Sequence, residues 1–394
     1  GYPLEAPEQT YINTLVTDFK SAGIWSKMKA IYPYCTSQRN LLNTTTDFSG
    51  WSLEGGTLTS GFTDPDGTST AYKYTAAGGN GLWANQNIPI MSSGNGAILS
   101  IWVKSVSGAN VTFNLSSGYS AAGMVTHTAT NTWQRVTCYY AFAAGGSFYL
   151  YSLSDPTNGI YVWHPQLEIG STATTYQPVA TTASTIFASQ FKYNLKDPRN
   201  LDAAFRQVFN GGWTYSKQGA TPNGTNGYAD TFLNPRSSLS QFSVHASNYS
   251  RTQNSTVSGV QLGAYDSVSN SEVNIFQYYA AVAVKGSSLY AYPLTAVYAS
   301  NTNTLGFQIG SRTTNNSAKL YFNGSLLNTN TNTETALLPN RTIYLGASNW
   351  ISGTNQYTPH QHAFDTIGDG LTDSEASAMY TSVQNYQTSM QRQV

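Results

Sequence analysis

Strict alternation of apolar and polar residues, repeated in segment after segment, most narrows the folds open to this chain. In "AILSIWVKS", Leu99, Ile101 and Val103 fall on one side and Ser100, Trp102 and Lys104 on the other. "VTFNL" sets Val111, Phe113 and Leu115 against Thr112 and Asn114. Only an extended strand sends successive side chains to opposite faces, so these segments predict half-buried β-strands. "WQRVTCYYAF", "SFYLYSL" and "GIYVWHPQLEIG" continue the series between Gly-, Ser- and Asn-rich turns. Several short strands at this spacing predict an antiparallel sandwich or jelly roll.

The alternation is framed by helical patterns. Residues 7–29 repeat Ile12, Leu15, Val16 and Phe19 at helical spacing, with Pro7 suited to a first turn and Gly23 to a stop. "IWSKMKAI" then reads as a second short turn or helix. Within "AIYPYCTSQRNLLNTTTDFSGW" (30–51) the period changes with almost no linker. Beyond a Thr/Ala/Ser-rich stretch at 180–187, "FKYNLKDPRNLDAAFR" predicts a turn and a short helix, and alternating segments resume to about residue 367. "AKLYFNGSLL" predicts a hairpin turning at Asn323-Gly324, with "TIYLGASN" as a strand pairing nearby. The chain closes on a helix opened by a Thr372/Glu375 capping box, with Ala376, Met379, Tyr380, Val383, Tyr386 and Met390 on its apolar face.

Charge excludes several functions. Lys+Arg and Asp+Glu balance at 19 each and charged residues make up only 10%, so no net field draws nucleic acid or an anionic membrane. No apolar run is long enough to span a bilayer, so no membrane insertion is expected. The N-terminus lacks the pattern of a secretory signal, and Gly1 is either a processed start or a fragment boundary. The surface must be built from Ser, Thr, Asn, Gln, Gly and 28 tyrosines. Such an exterior suits neutral hydrated polymers such as glycans, and equally suits simple solubility. Cys35 and Cys138 make no disulfide framework; two buried free thiols are expected, with a pairing left open.

"INTLVTDFKSAGIWSKMKAIYP", "NLKDPRNLDAAFR", "FNGGWTYSKQGATPNGTNGYADTFLNP" and "IGDGLTDSEASAMYTSVQNYQTSM" resemble a bacteriophage structural-protein domain of tail and fibre proteins, with a concanavalin/laminin-G-like sandwich. In that family the first two motifs lie close together; here about 150 residues separate them. The intervening "NLLNTTTDFSGW", "PDGTSTAYKYT", "LSIWVKS", "WQRVTCYYAF" and "YVWHPQLEIGSTATTYQPV" resemble the carbohydrate-binding-module-like jelly rolls of tail fibres. The resemblance implies an all-β chain of two antiparallel sandwiches, one inserted into the other. The host would be residues 1–35 and 186–394, with helices at both termini, and the insert residues 36–185. Insertion is tolerated where the host backbone is exposed and its ends lie close together. The missing linker implies a fixed geometry between the modules.

Catalytic patterns are sparse. Asp230, Asp266, Glu272, Glu334 and Asp365 form no alternating acidic pair of the kind that flanks a glycosidic bond. Asp369, Asp373 and Glu375 belong to a turn and a helix start. No G-x-S-x-G elbow or phosphate-loop lysine is present, so no enzyme is expected. His360 and His362 would share one face of a strand without a third ligand. Asp64 and Asp66 in "TDPDGTST" offer a structural calcium loop or an Asx turn, and the spacing is not that of an EF-hand. What remains is recognition. Alternation puts Trp102, Asn114, Tyr139, Tyr149 and Tyr151 on the polar side of the inserted strands, and Trp83 could join from a loop. Rings stack on sugars while amides and hydroxyls read sugar hydroxyls, so these six are the candidate glycan site; packing in a second layer is the competing reading. Trp350 and Tyr357 are a second candidate.

The resemblance therefore implies a virion protein, a tail-fibre or receptor-binding component adhering non-catalytically to host-cell-surface glycan. Its partners would be other virion proteins and further copies of itself, as a trimer or larger. Structural decoration of head or tail and polysaccharide depolymerisation are the alternatives.

Overall fold

The computed structural model describes residues 4, 6–37, 39–76, 81–84, 96–116, 124–140, 148–179, 183–253, 257–279, 284–290, 296–300 and 303–394. The chain is all-β, with four short-to-medium helices among the described residues, and it divides into two compact units: Gly1–Ser37 with Phe187–Val394, and Gln38–Ile186.

The second unit, here the inserted unit, has two five-stranded antiparallel sheets among its described residues. The first runs Ser52–Leu53, Gly81–Trp83, Tyr149–Tyr151, Val111–Ser116, Val125–Ala129; the second runs Thr57–Phe62, Ala71–Thr75, Ile160–Ile169, Ala97–Ser105, Gln134–Tyr140. The apolar partners of the alternation meet between them. Leu99, Ile101, Val103, Val111, Phe113, Leu115, Leu150 and Val162 are all buried in one core. A bulge in Ile160–Ile169 is essential to that arrangement. Trp163 opposes Trp102 while Gln166 opposes Ser100, so three steps on one strand match two on the other. His164 absorbs the extra residue at φ 51°, and the parity switch lets Ile160, Val162 and Leu167 all reach the core.

The other unit, the host, opens with the helix Ala6–Ser21, which buries Leu15 and Phe19. Gly23, at φ 74°, ends it in the left-handed region. The expected second helix is a single 3₁₀ turn, Trp25–Lys27, after which Met28–Tyr32 is a strand. The helical reading of "IWSKMKAI" fails there because tertiary pairing wins: Met28–Tyr32 lies antiparallel to His362–Gly368, with Ala30, Ile31 and Tyr32 fully buried. Its outer edge is covered by Asn194 of "NLKDPR". Ile31 N donates to Asn194 Oδ1 at 2.9 Å and Asn194 Nδ2 donates to Lys29 O at 3.0 Å, so an exposed pairing edge is blunted.

Among the described residues the host has two sheets, of eight and nine strands. The hairpin forms as expected: Phe322 opposes Ser325, and Asn323 and Gly324 sit at φ 47° and 80°. "TIYLGASN" does not pair with it. Tyr344–Leu345 joins Tyr228–Asp230 in the nine-stranded sheet instead, because two residues of local alternation carry no information about partners. One pair, Leu262–Asp266 with Ser348–Trp350, is parallel. "FKYNLKDPRNLDAAFR" has its helix earlier, at Ala183–Phe191, and only a 3₁₀ turn at Asp202–Ala204.

The final helix, Asp373–Ser389, starts with the capping box: Glu375 N donates to Thr372 Oγ1 and Thr372 N to Glu375 Oε2. Ala376, Met379, Val383 and Tyr386 pack with Leu15 and Phe19. Beyond it, buried Arg392 donates to the carbonyls of Pro33 (2.6 Å), Tyr34 (2.8 Å) and Ala363 (2.9 Å), tying the two chain segments of the host together. Among the described residues, no helix is long and apolar enough to cross a membrane.

Candidate functional site

The six candidate residues do not form one patch. In the inserted unit's first sheet, three strands align Tyr149 with Trp83 on one side and Ser116 on the other, and Tyr151 with Gly81 and Asn114. Asn114 in turn opposes Thr126, whose hydroxyl donates to Asn114 Oδ1 at 2.8 Å. Leu150, between the tyrosines, is fully buried. Tyr149 and Tyr151 therefore share the outer face, two steps or about 7 Å apart. Tyr151 Oη also donates to Met124 Sδ at 3.0 Å. Trp83 is placed by its backbone register alone, its side chain lying outside the described residues.

Trp102 and Tyr139 belong to the other sheet. Trp102 lies between Trp163 and Arg135, and Tyr139 opposes Ile98. Alternation separates inside from outside but does not say which sheet a strand joins, so residues on opposite sides of the sandwich were grouped together. Tyr139 is 48% exposed. Around Trp102 the second sheet carries aromatic side chains the sequence reading passed over. Trp163 meets Trp102 at 6.4 Å, edge on, and His164 stacks between Trp163 and Tyr176 at 3.2 and 3.6 Å. Burial pushes His164 down to about 4, so it is a neutral ring in that stack near pH 7. The same alternation in "GIYVWHPQ" would have assigned Tyr161 and Trp163 to the polar side.

Asp64 is a hydrogen-bond hub. Its carboxylate accepts from Asp66 N, Thr68 N and Thr70 N, each at 3.0 Å, and from the hydroxyls of Thr68 and Thr70. Burial alone would raise its pKa, but these bonds outweigh it and hold the carboxyl well below the usual range. A cation needs convergent acceptors, whereas this loop turns donors on the carboxylate and leaves Asp66 exposed. The residues do not fit calcium; the Asx-turn reading fits.

His360 and His362 are not ligands on a surface strand. Both are buried in the host: Gln261 Nε2 lies 2.6 Å from His360 Nδ1, and His362 Nδ1 lies 2.9 Å from Asp365 Oδ2. Asn248 Nδ2 and Tyr34 Oη also donate to Asp365, at 2.6 and 2.7 Å. Among the described residues, no group of three His, Cys, Asp or Glu is placed to hold a metal. The host's other candidate carboxylates each accept at least one hydrogen bond within the fold. Asp230 accepts from Phe232 N, Asp266 from Val268 N and Asn340 N, Glu272 from Asn274 Nδ2, and Glu334 from Thr335 N and Ala336 N. Trp350 packs on Tyr265 at 4.9 Å. An apolar pocket of about 220 Å³ is lined by Leu4, Ile12, Tyr34, Cys35 and Phe191. Burial raises the Cys35 thiol to about 11, so it presents no thiolate nucleophile near neutrality. Cys35 and Cys138 are both free and buried.

No family model matches this chain, and no curated protein matches it. Solved structures similar to part of it are carbohydrate-binding modules. One is the pair of N-terminal modules of a Clostridium thermocellum endo-1,4-beta-D-xylanase complexed with xylohexaose, at 14% identity over 36% of this chain and 30% of that one, with TM-score 0.27. Another is a xylan-binding domain from Paenibacillus barcinonensis, at 15% identity over 37% of this chain and 96% of that one, with TM-score 0.24. A third is domain 4 of a Geobacillus stearothermophilus extracellular arabinanase in complex with arabinotriose, at 16% identity, 44% and 87% coverage, and TM-score 0.31. At scores this low none of these likenesses bears on what this chain binds.

Proposed function

We propose that the chain is a non-catalytic glycan-binding protein, and that the inserted unit binds through the outer face carrying Tyr149, Tyr151 and Asn114. The observation that carries the reading is the register. Two tyrosines stand on one strand, flanked by Gly81 on one neighbour and by Asn114 with Thr126 on the other. A tyrosine ring offers its face to the apolar side of a pyranose, and the amide and hydroxyls beside it match sugar hydroxyls. Gly81 passes close beside Tyr151, where a Cβ would come within 3.2 Å of the Tyr151 Cβ.

The setting we propose is a bacteriophage tail fibre or receptor-binding component in the virion, assembled as a trimer or larger with other virion proteins. This rests on the resemblance of the host-unit motifs. Weak sugar sites repeated around a symmetric fibre become effective adhesins through multivalency.

A panel of neutral polysaccharides screened by affinity electrophoresis tests the binding site: Tyr149→Ala and Tyr151→Ala should each weaken a retained glycan about tenfold while keeping the melting temperature. Retention unaffected by either change would remove this face from consideration. Release of reducing ends during the same incubations would instead identify a depolymerase. Immunogold labelling of virions with antibody to this chain tests the setting, since gold spread over the capsid would favour decoration and no gold at all would end the virion reading.

A further inference from the structure

The inserted unit contains only four cationic side chains, Arg39, Lys73, Lys104 and Arg135, against six acidic ones. Three of them, Lys73, Lys104 and Arg135, stand on strands of one sheet, the one opposite the tyrosine face, and Arg39 reaches that sheet's Glu168 from the chain before it. Lys73 opposes Tyr161, and Tyr161 opposes Lys104, across three neighbouring strands. The residues flanking each of them, Tyr74, Val103, Ile160 and Val162, are buried in the core, so the three side chains project together. The two lysine backbones stand about 10 Å apart with the Tyr161 ring between them.

Aromatic side chains extend that row into a platform. Phe62 lies 5.0 Å from Tyr161, reaching it over Ala71, which opposes Phe62. Trp133 lies 6.3 Å from Tyr161 on the far side. The two arginines are used internally. Arg135 donates to Thr174 O at 2.6 Å and Ser100 Oγ at 2.8 Å, while Arg39 donates to Thr174 Oγ1 at 3.1 Å beside Glu168 at 3.6 Å. The lysines are not: among the described residues neither makes an ion pair. Lys73 feels the field of Asp155, whose carboxylate is held by Asn158 N and Nδ2. Of the remaining acids, Asp64 is saturated in its loop, and Asp47, Glu54 and Asp66 lie in turns and bends.

We propose that this second face binds an anionic polysaccharide, one sugar stacking on Tyr161 between Phe62 and Trp133 while Lys73 and Lys104 take carboxylate or phosphate groups on either side. Two of the unit's four cations flank one aromatic row, and an anionic sugar chain is complementary to such a face. The site is separate from the tyrosine face and does not depend on it.

The test uses the full chain with polygalacturonate and its fully methyl-esterified form, which share a backbone and differ in charge, and with alginate and a phosphate-bearing teichoic acid. The expected result is retention of at least one anionic polymer, and at least tenfold tighter binding of polygalacturonate than of its ester if that is the one retained. The double variant Lys73→Gln/Lys104→Gln should lose about tenfold and flatten the salt dependence, Tyr161→Ala should lose a similar factor, and Tyr149→Ala should leave anionic binding intact. Lys→Gln removes the charge and keeps the first part of each aliphatic stem, so unchanged melting curves would separate lost binding from lost folding. Failure of all three anionic polymers to bind would overturn the proposal. So would equal binding of polygalacturonate and its ester, or loss of anionic binding in Tyr149→Ala but not in the lysine variant.

Discussion

The two units place their polar and aromatic side chains differently. The inserted unit keeps an apolar core of aliphatic and aromatic side chains and sets tyrosines, tryptophans and lysines on its outer faces. The host buries much of its polar chemistry: Asn248, Asp365, His362, Gln261, His360 and Asn274 are all at 0% exposure. A buried polar group is tolerated only when its hydrogen bonds are made inside the protein, so the host network specifies one arrangement and is unforgiving of change. Tyr149, Tyr151 and Tyr161 are only partly buried, so changes there disturb less of the core. The comparison directs a search for binding to the inserted unit and a search for stability determinants to the host.

The largest expected break in that contrast is Asp365→Ala. It removes the acceptor shared by Asn248, Tyr34 and His362, and should cost about 3 kcal/mol or more in denaturant unfolding of the host. Loss under 1 kcal/mol would mean the buried network is not what holds the host together. Next comes pH. His245 in the host is pushed down to about 4, chiefly by burial and against the pull of Asp369 O at 2.6 Å. Above pH 6.5 both folded and unfolded states hold it neutral; below, the unfolded chain gains a proton first. Stability is therefore lost as pH falls from about 6.5 to about 4, by up to about 3 kcal/mol. His164 predicts a loss over the same window in the inserted unit, smaller because its ring is only partly buried. Melting curves across that range, with His245→Gln and His164→Gln as controls, would sharpen the comparison; a flat profile would contradict both.

Asp64→Asn should cost the inserted unit about 1–2 kcal/mol, since an amide oxygen accepts less strongly than a carboxylate from the same donors. With its folded pKa held down, Asp64 contributes stability above the unfolded carboxyl range near pH 4 and loses it as pH falls below. The smallest expected effect is none: a chelator should leave the melting temperature unchanged, and a drop restored by calcium would reinstate the metal loop.

Legibility in the sequence followed how local the determining physics was. Asn323-Gly324 named its own turn because positive φ at two successive positions is a property of those residues. The Thr372 capping box and the alternation of Ala97–Ser105 were equally readable, each depending on side chains within a few positions. Met28–Tyr32 was misread as helical because its strand state exists only against His362–Gly368, more than three hundred residues away. His360 and His362 looked like a shared strand face, but Gln261 and Asn248 come from distant segments, and Asp365 from three residues along, to meet their Nδ1 atoms.

The sequence by itself determined an all-β chain with helices at both ends of the host, the inward and outward sides of its regular strands, and a neutral, hydroxyl-rich exterior. Tertiary structure alone decided which strands became neighbours. It divided Tyr149 and Tyr151 from Trp102, and set Lys73 and Lys104 on either side of Tyr161 across three strands. Alternation reports only the environment each side chain needs, and a buried side of one strand is satisfied by the buried side of many others. Partner choice comes from the summed packing and hydrogen bonding of the whole chain.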